Sequence, residues 1–415
     1  MVLARDTRPS GEQLAGAAAD GLVSAGCVVV DLGMCSTPAA KMMVVALEAQ
    51  AGIILTASHN PAPWNGLKLV REDGVVLNQA QGGKEESAYH ADTPTRRPGG
   101  RMESMATEDL QDRYIDHILA AVDVDRIRGA SVAVAADPCN GTGALFLHKL
   151  FDRLGASATI VNGTPDGRFT HEPEPIPENL VQLGAAVRNA DAAIGFAVDP
   201  DADRVALVGA DGLPIGEDYT LALAVETIAA SEQRPGAVVT TLSTSQVVSD
   251  AAERGGRTVI LTPVGEVHVV EEMMSKSAAV GGEGNGGVIL TDVVPGRDAA
   301  LGIALVLERL AESGKTLSEL VGQLPQYAID KRKVSGCTAT QLQRGVVALQ
   351  QHYPQAYVHP VEDGVKLYLN GRLECPWVHL RASNTEPIVR IIAESATAEE
   401  AARLGAEAEA LLESA

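Results

Sequence analysis

Residues 192–204 read AAIGFAVDPDADR. The first seven are apolar without a polar break. The run is too short for a typical globular helix and does not alternate, which is the pattern of a strand covered on both faces. It follows a helical stretch at 180–189 and ends in an acidic loop. The same alternation runs outward in both directions. VVVD at 28–31 follows an Ala-rich helical stretch, 13–25; GIILT at 52–56 follows 39–50; SVAVAAD at 131–137 precedes 143–154; AVVTT at 237–241 and TVILT at 258–262 bracket 245–254. Buried strands alternating with helices define α/β layers on parallel or mixed sheets. From about Tyr327 the pattern becomes α+β, with strands expected at 366–369, 377–381 and 388–394 and helices at 339–351 and 398–412. Two polar gaps interrupt the alternation. Residues 78–103 contain almost nothing apolar and read as a surface loop, and 163–179 carry four prolines and read as an extended connector. The resulting division is 1–121, 122–225, 226–328 and 329–415, four domains for 415 residues.

Composition narrows the function. The net charge is −21, so a nucleic-acid binder or a protein held on anionic lipid is not expected. Any anionic substrate must be met by cations gathered locally. Five cysteines, at 27, 35, 139, 337 and 375, form no CxxC, which fits free thiols in a reducing cytoplasm. The opening MVLARDTRPSGEQ has no apolar signal region, and no run of about 20 apolar residues predicts a membrane span.

Four loops carry chemistry. In DPDADR, 199–204, Asp199, Asp201 and Asp203 crowd hard oxygens that repel one another unless a cation joins them, which selects Mg²⁺, Ca²⁺ or Mn²⁺. An EF-hand is excluded, since Arg204 and Ala210 stand at its glycine and glutamate positions. TASHNP, 56–61, ends a strand with Ser58 beside His59, a candidate nucleophile, and Lys68 follows in NGLK. GGEGNGG, 281–287, lets backbone approach a ligand and offers Glu283 and Asn285, side chains suited to sugar hydroxyls. RASNTEPIVR, 381–390, sets Ser383, Asn384 and Thr385 between Arg381 and Arg390, an anion nest for which phosphate is the natural guest. ESGKT at 312–316 lacks the first glycine of a phosphate-binding loop, and NGTG at 140–143 lacks the last of a dinucleotide fingerprint.

The order of these loops, with ARDTRPSG at 4–11 and TPVGE at 262–266, resembles the α-D-phosphohexomutase family, which includes phosphoglucomutase/phosphomannomutase and phosphoglucosamine mutase. The resemblance implies a heart-shaped molecule of four domains around a central cleft, three α/β and one α+β. It implies that Ser58 is the phosphoserine, with Lys68, His59 and Arg204 in catalytic roles and Lys68 as the leading acid/base. Ser58, Asp199, Asp201 and Asp203 would hold one Mg²⁺. Arg5 and Arg8 would lie near the reacting phosphate, Glu283 and Asn285 would bind sugar hydroxyls, and Arg381, Ser383, Asn384, Thr385 and Arg390 would hold the other phosphate. A hexose 1,6-bisphosphate would be both intermediate and activator. The expected partner is a small phosphosugar, with no nucleic acid or membrane, and the expected assembly is a monomer or homodimer.

Two departures stand out. The strand and Gly-x-Arg-Gly segment that precede ARDTR in the family have no counterpart here, which implies a first domain short of one element and one cationic contact. The sugar loop ends Asn-Gly-Gly where many members have Ser-Gly-His, so Gly287 replaces a histidine. The leading substrate is glucosamine phosphate, followed by glucose or mannose phosphate. A non-catalytic sugar-phosphate binder and a phosphatase using Ser58 are the competing readings.

Overall fold

A computed structural model describes residues 1–91, 96–231, 233–361, 364–382 and 388–415. Its strands form four sheets. The first holds β1 (Val2–Arg5), β2 (Val28–Met34), β3 (Ala51–Leu55), β4 (Leu67–Arg71) and β5 (Arg101–Ser104), in the order β4-β3-β1-β2-β5. The second holds β6 (Ala133–Asp137), β7 (Ser157–Ile160), β8 (Ile194–Val198) and β9 (Val205–Gly209), in the order β7-β6-β8-β9. The third holds β10 (Val238–Thr241), β11 (Val259–Thr262), β12 (Val280–Glu283) and β13 (Gly287–Ile289), in the order β11-β10-β12-β13.

These three sheets repeat one pattern. The first strand pairs in parallel with the second and third, and the fourth turns back antiparallel on the third. The connection between third and fourth strands is therefore the same place in each sheet. TASHNP, DPDADR and GEGNGG each occupy it. No repeat is visible in the sequence, because the shared feature is strand order and not residue identity. Val2, Val134 and Val238, one from the first strand of each sheet, lie in a single hydrophobic core.

The fourth sheet is antiparallel: β14 (Ala328–Ser335), β15 (Tyr357–Val361), β16 (Gly364–Tyr368), β17 (Trp377–Ala382) and β18 (Ile388–Ser395), in the order β14-β18-β17-β16-β15. Val365, Leu367, Val378, Leu380, Val389 and Ile391 turn one face into a separate core with Leu342, Leu349, Leu404 and Leu412 of helices Ala339–His352 and Ala398–Glu413. Alternation puts Lys366, His379, Arg381 and Arg390 on the other face.

Two expectations need correction. Residues 78–103 are not simply a loop. Asn78 and Gln81 form a capping box that starts helix Gln79–His90, and Arg101–Ser104 pairs with β2 as an edge strand. That helix buries no residue, so it has no apolar stripe to reveal it. The division at 225 falls inside helix Asp218–Ala230, which packs against the third sheet; the break belongs ahead of the helix.

The third and fourth domains meet through polar groups. Lys366 Nζ donates to the Leu242 carbonyl at 2.7 Å, the His379 ring shares a hydrogen bond with Ser243 Oγ at 3.0 Å, and the Gln246 N–H donates to Glu394 at 2.9 Å. Lys366 is 2% exposed and lies 3.6 Å above the Trp377 ring. Burial pushes its ammonium from 10.5 down to about 7, with Glu394 resisting the shift. Between those values the unfolded chain holds the extra proton, so stability rises with pH across that window. Urea unfolding from pH 7 to 10 is expected to show this as up to about 1.4 kcal/mol per pH unit, one proton's worth. The Lys366→Met variant should lose that slope; an unchanged slope would refute the assignment.

Candidate active site

Thr56, Ser58 and His59 leave the end of β3 on a loop held from below. Asp6, just past β1, is fully buried and accepts hydrogen bonds from Thr56 Oγ1 at 2.7 Å and from the Arg8 N–H and Nε at 2.9 Å. Thr56 Oγ1 accepts from the Ser58 N–H at 2.9 Å. Arg8 then donates from Nη1 to the Pro61 and Trp64 carbonyls at 2.7 and 2.9 Å. Its Nη2 donates to those of Ser58 and Asn60 at 2.6 and 2.7 Å. All five guanidinium N–H groups are thereby used. Phe169, from the proline-rich connector, lies 5.1 Å from the guanidinium carbon. This network holds Ser58 at φ +49°, a left-handed conformation that costs a non-glycine residue roughly 1–2 kcal/mol.

Arg8 lies directly beneath the Ser58 loop, close to the reacting group as the resemblance implied, but it is not free to bind the substrate's phosphate. It is 0% exposed, has no donor left, and positions the serine loop instead. Arg5 lines a groove with Glu12, Asp31 and Met102 beside helix Gly11–Ser24, and among the described contacts none joins it to Ser58.

The metal loop is stitched to all three α/β domains. The Asp201 carbonyl accepts from the Thr37 N–H at 2.9 Å, that of Pro200 from the Thr142 N–H at 2.8 Å, and that of Ala202 from the Ala299 N–H at 3.1 Å. The last contact sets the N-terminus of helix Ala299–Ser313, with its positive dipole end, against the acidic loop. Asp298 caps that helix and accepts from Tyr114 Oη at 2.6 Å.

Asp199, Asp201 and Asp203 are fully buried, with oxygens within 4.8 Å of one another. Ser58 Oγ donates to Asp199 at 3.1 Å, so the sequence-predicted nucleophile and acidic triad meet. Asp199 Oδ1 takes the N–H groups of Asp203 and Arg204. Thr37 Oγ1 and Lys68 Nζ both donate to Asp201 at 2.6 Å, and Lys68 reaches Asp203 at 3.3 Å. Arg204 Nε stands 3.6 Å from Asp203. Asp199 is pushed well above the usual carboxylate range, first by burial and then by Asp203 and Asp201. Burial would also raise Asp203, but Arg297, Lys68 and Arg204 hold it well below. For Lys68, burial favours the neutral amine, yet Asp201 and Asp203 keep the ammonium above its ordinary value. Burial, with Arg204 nearby, pushes His59 down to about 3, so its imidazole is neutral at pH 7.

Asp201 Oδ1 and Asp203 Oδ1 are buried without a hydrogen-bond partner. Two unpaired acceptors in an all-oxygen carboxylate cluster fit a hard divalent cation such as Mg²⁺.

The sugar loop lies against this cluster, its Gly286 carbonyl accepting from the Val205 N–H at 3.1 Å. Glu283 takes Arg297 Nη1 at 2.5 Å and the Gly265 N–H at 3.1 Å; Asn285 Oδ1 is buried and unpartnered. Arg297 Nη2 also donates to Asp203 at 2.7 Å, and its Nε lies 3.4 Å from Glu266, which pairs with the buried Lys41. Glu266 is thus occupied by these two cations. Lys41, Thr37 and Tyr114 were missed by sequence reasoning. Only Lys41, a lone cation in the apolar stretch TPAAKMMVVA, left a signal. Arg381 and Arg390 stand directly across β17 and β18 from each other. Ser383, Asn384 and Thr385 lie outside the described residues.

Models of phosphoglucomutase/phosphomannomutase alpha/beta/alpha domains I, II and III match residues 1–95, 112–212 and 216–327, and the C-terminal domain model matches 341–411. A phosphoglucomutase/phosphomannomutase of Thermococcus kodakarensis is 36% identical over 97% of this chain and 87% of its own. A phosphoglucosamine mutase of Leifsonia xyli is 34% identical over 98% of this chain and 86% of its own. The crystal structure of a phosphoglucomutase/phosphomannomutase family protein from Burkholderia thailandensis superposes with a TM-score of 0.83 at 28% identity, covering 100% of this chain and 88% of that one. Four domain matches in order, full-length relatives and a shared fold make this chain a member of the α-D-phosphohexomutase family, and an isomerase acting by intramolecular phosphotransfer.

Proposed function

We propose that the chain interconverts hexose 6-phosphate and hexose 1-phosphate through phosphorylated Ser58 and a hexose 1,6-bisphosphate, with glucosamine phosphate as the leading substrate. The observation that carries this is Ser58 Oγ, 3.1 Å from Asp199, on a loop whose strained conformation is held from beneath. A free sugar hydroxyl attacks the phosphorus of phosphoserine. Its O–P bond forms as the Ser58 Oγ–P bond breaks, and its proton passes to a base. His59, pushed down to about 3 by burial, is too weak a base to take that proton at pH 7, so the role of base is not given to it. Lys68 and Arg204 supply positive charge beside the transferred group, the main requirement of phosphoryl transfer. Asp199, Asp201, Asp203 and phosphorylated Ser58 would hold Mg²⁺, which adds further charge neutralisation when bound. The bisphosphate turns and returns its other phosphate to Ser58, while Arg381, Arg390 and the loop between them hold the phosphate that is not reacting.

The relatives' names support glucosamine phosphate, and the Thermococcus name favours glucose and mannose phosphates as a second reading. A coupled assay with the three hexose phosphates, Mg²⁺ and a bisphosphate activator tests both. Turnover of glucosamine phosphate fastest of the three is expected, with one phosphoryl group on the intact protein that Ser58→Ala removes. No isomer from any sugar, or phosphate release alone, would overturn the reading.

A further inference from the structure

We propose that Arg297 is the positioning residue of the sugar-binding loop, standing in the space of the side chain that residue 287 lacks. The inference rests on the reading above in taking Glu283 to meet the sugar.

Two adjacent glycines in this loop have different causes. Gly286 has φ +83°, and a Cβ there would stand 3.0 Å from the Val205 carbonyl carbon, so backbone conformation and backbone contact both require glycine. Gly287 is an ordinary strand residue of β13, outside the left-handed region, and its backbone would accept any side chain. What excludes one is Arg297. A Cβ at 287 would overlap Arg297 Cδ and lie 2.7 Å from its Cγ. The arginine stem fills the position, and its guanidinium runs on to the carboxylates beyond.

That guanidinium joins carboxylates from three segments: Glu283 on the sugar loop at 2.5 Å, Asp203 on the metal loop at 2.7 Å and Glu266 at 3.4 Å. Lys41 backs Glu266 from the first domain. Glu283 has one oxygen on Arg297 and the other on the Gly265 N–H, so two donors fix its orientation. The same Cβ at 287 would come within 3.1 Å of Asn285 Oδ1, the loop's other candidate sugar ligand. One side chain thus sets Glu283 and ties it to the acidic loop. A change at 287, which leaves every charge in place, should disturb sugar recognition before it disturbs phosphoryl transfer.

The test uses the full chain and glucosamine 6-phosphate. Gly287→Ala is expected to raise KM by about tenfold or more while kcat falls by less than about threefold, and Arg297→Ala, which also takes the guanidinium from Asp203, is expected to raise KM at least as much and to lower kcat as well. Arg297→Lys should recover part of the loss. In the double variant Gly287→Ala should add little, because its clash partner is gone. Gly287→Ala retains every charge, so it decides the matter if Arg297→Ala does not fold. A KM within about twofold of wild type for Gly287→Ala, or effects that simply multiply in the double variant, would overturn the inference while wild-type turnover leaves the function standing. If wild type converts no hexose phosphate, the function falls and melting temperatures decide. Gly287→Ala must then lower the melting temperature in the wild-type chain and in Arg297→Lys, which keeps the Cγ and Cδ that the new methyl would strike, but not in Arg297→Ala, and equal drops in all backgrounds overturn the proposal.

Discussion

Replacing Arg8 with alanine is expected to cost about 3–5 kcal/mol of stability, the range for removing one partner of a buried ion pair. The change leaves Asp6 ionised or protonated in a site with 0% exposure, still bonded to Thr56 but without its cation. It also strips donors from the carbonyls of Ser58, Asn60, Pro61 and Trp64. The hydrogen bonds of Ser58 to Thr56 and Asp199 would then be left to hold it at φ +49° without the cation beneath the loop. Arg8→Lys should rescue little, since lysine offers three donors on one atom and cannot fork to four carbonyls and a carboxylate. Urea unfolding measures the cost, and limited proteolysis of the 58–64 loop reports its release. A loss below about 1 kcal/mol would show that the loop is held by other contacts.

Asp203→Ala is expected to lower kcat/KM for the best hexose phosphate by about 10³ or more, the scale of losing a preorganised electrostatic partner or a metal ligand. Asp203 Oδ2 is where Lys68 and Arg297 converge, and its Oδ1 is one of the two unpaired acceptors in the triad. The variant takes away the carboxylate held most firmly ionised and leaves three cations competing for the remaining acids. Asp203→Asn separates charge from shape. It should fold nearly as well as wild type yet recover little activity, and both variants should need more Mg²⁺ for half-maximal rate. Activity within about tenfold of wild type for either would argue against a role in binding the cation or the transferred phosphoryl.

The element pattern was legible where buried strands alternate with amphipathic helices, because burial writes itself into hydrophobic periodicity. It failed at helix Gln79–His90, whose surface is polar all round, and at β14 and β15, edge-side strands whose alternation is diluted by Lys331, Arg332, Lys333 and His359. Ser58 and the three aspartates could be proposed because their chemistry is local to short loops. The role of Arg8 could not. A basic residue at position 8 looks the same whether it meets a phosphate or, as here, four main-chain carbonyls.

The residues alone established an acidic α/β chain with four polar loops in a distinctive order, and the order was enough to indicate the family. Only tertiary structure showed that three of those loops are the same connection in three like-ordered sheets. It also decided how the charges are shared: Arg8 is consumed beneath the serine loop, Glu266 is bound by Lys41 and Arg297, and two aspartate oxygens are left without donors. The reason is physical. Periodicity and loop chemistry are properties of neighbouring residues, whereas the pairing of a buried charge depends on which distant segment reaches it first, and Lys41 and Glu266 are 225 residues apart.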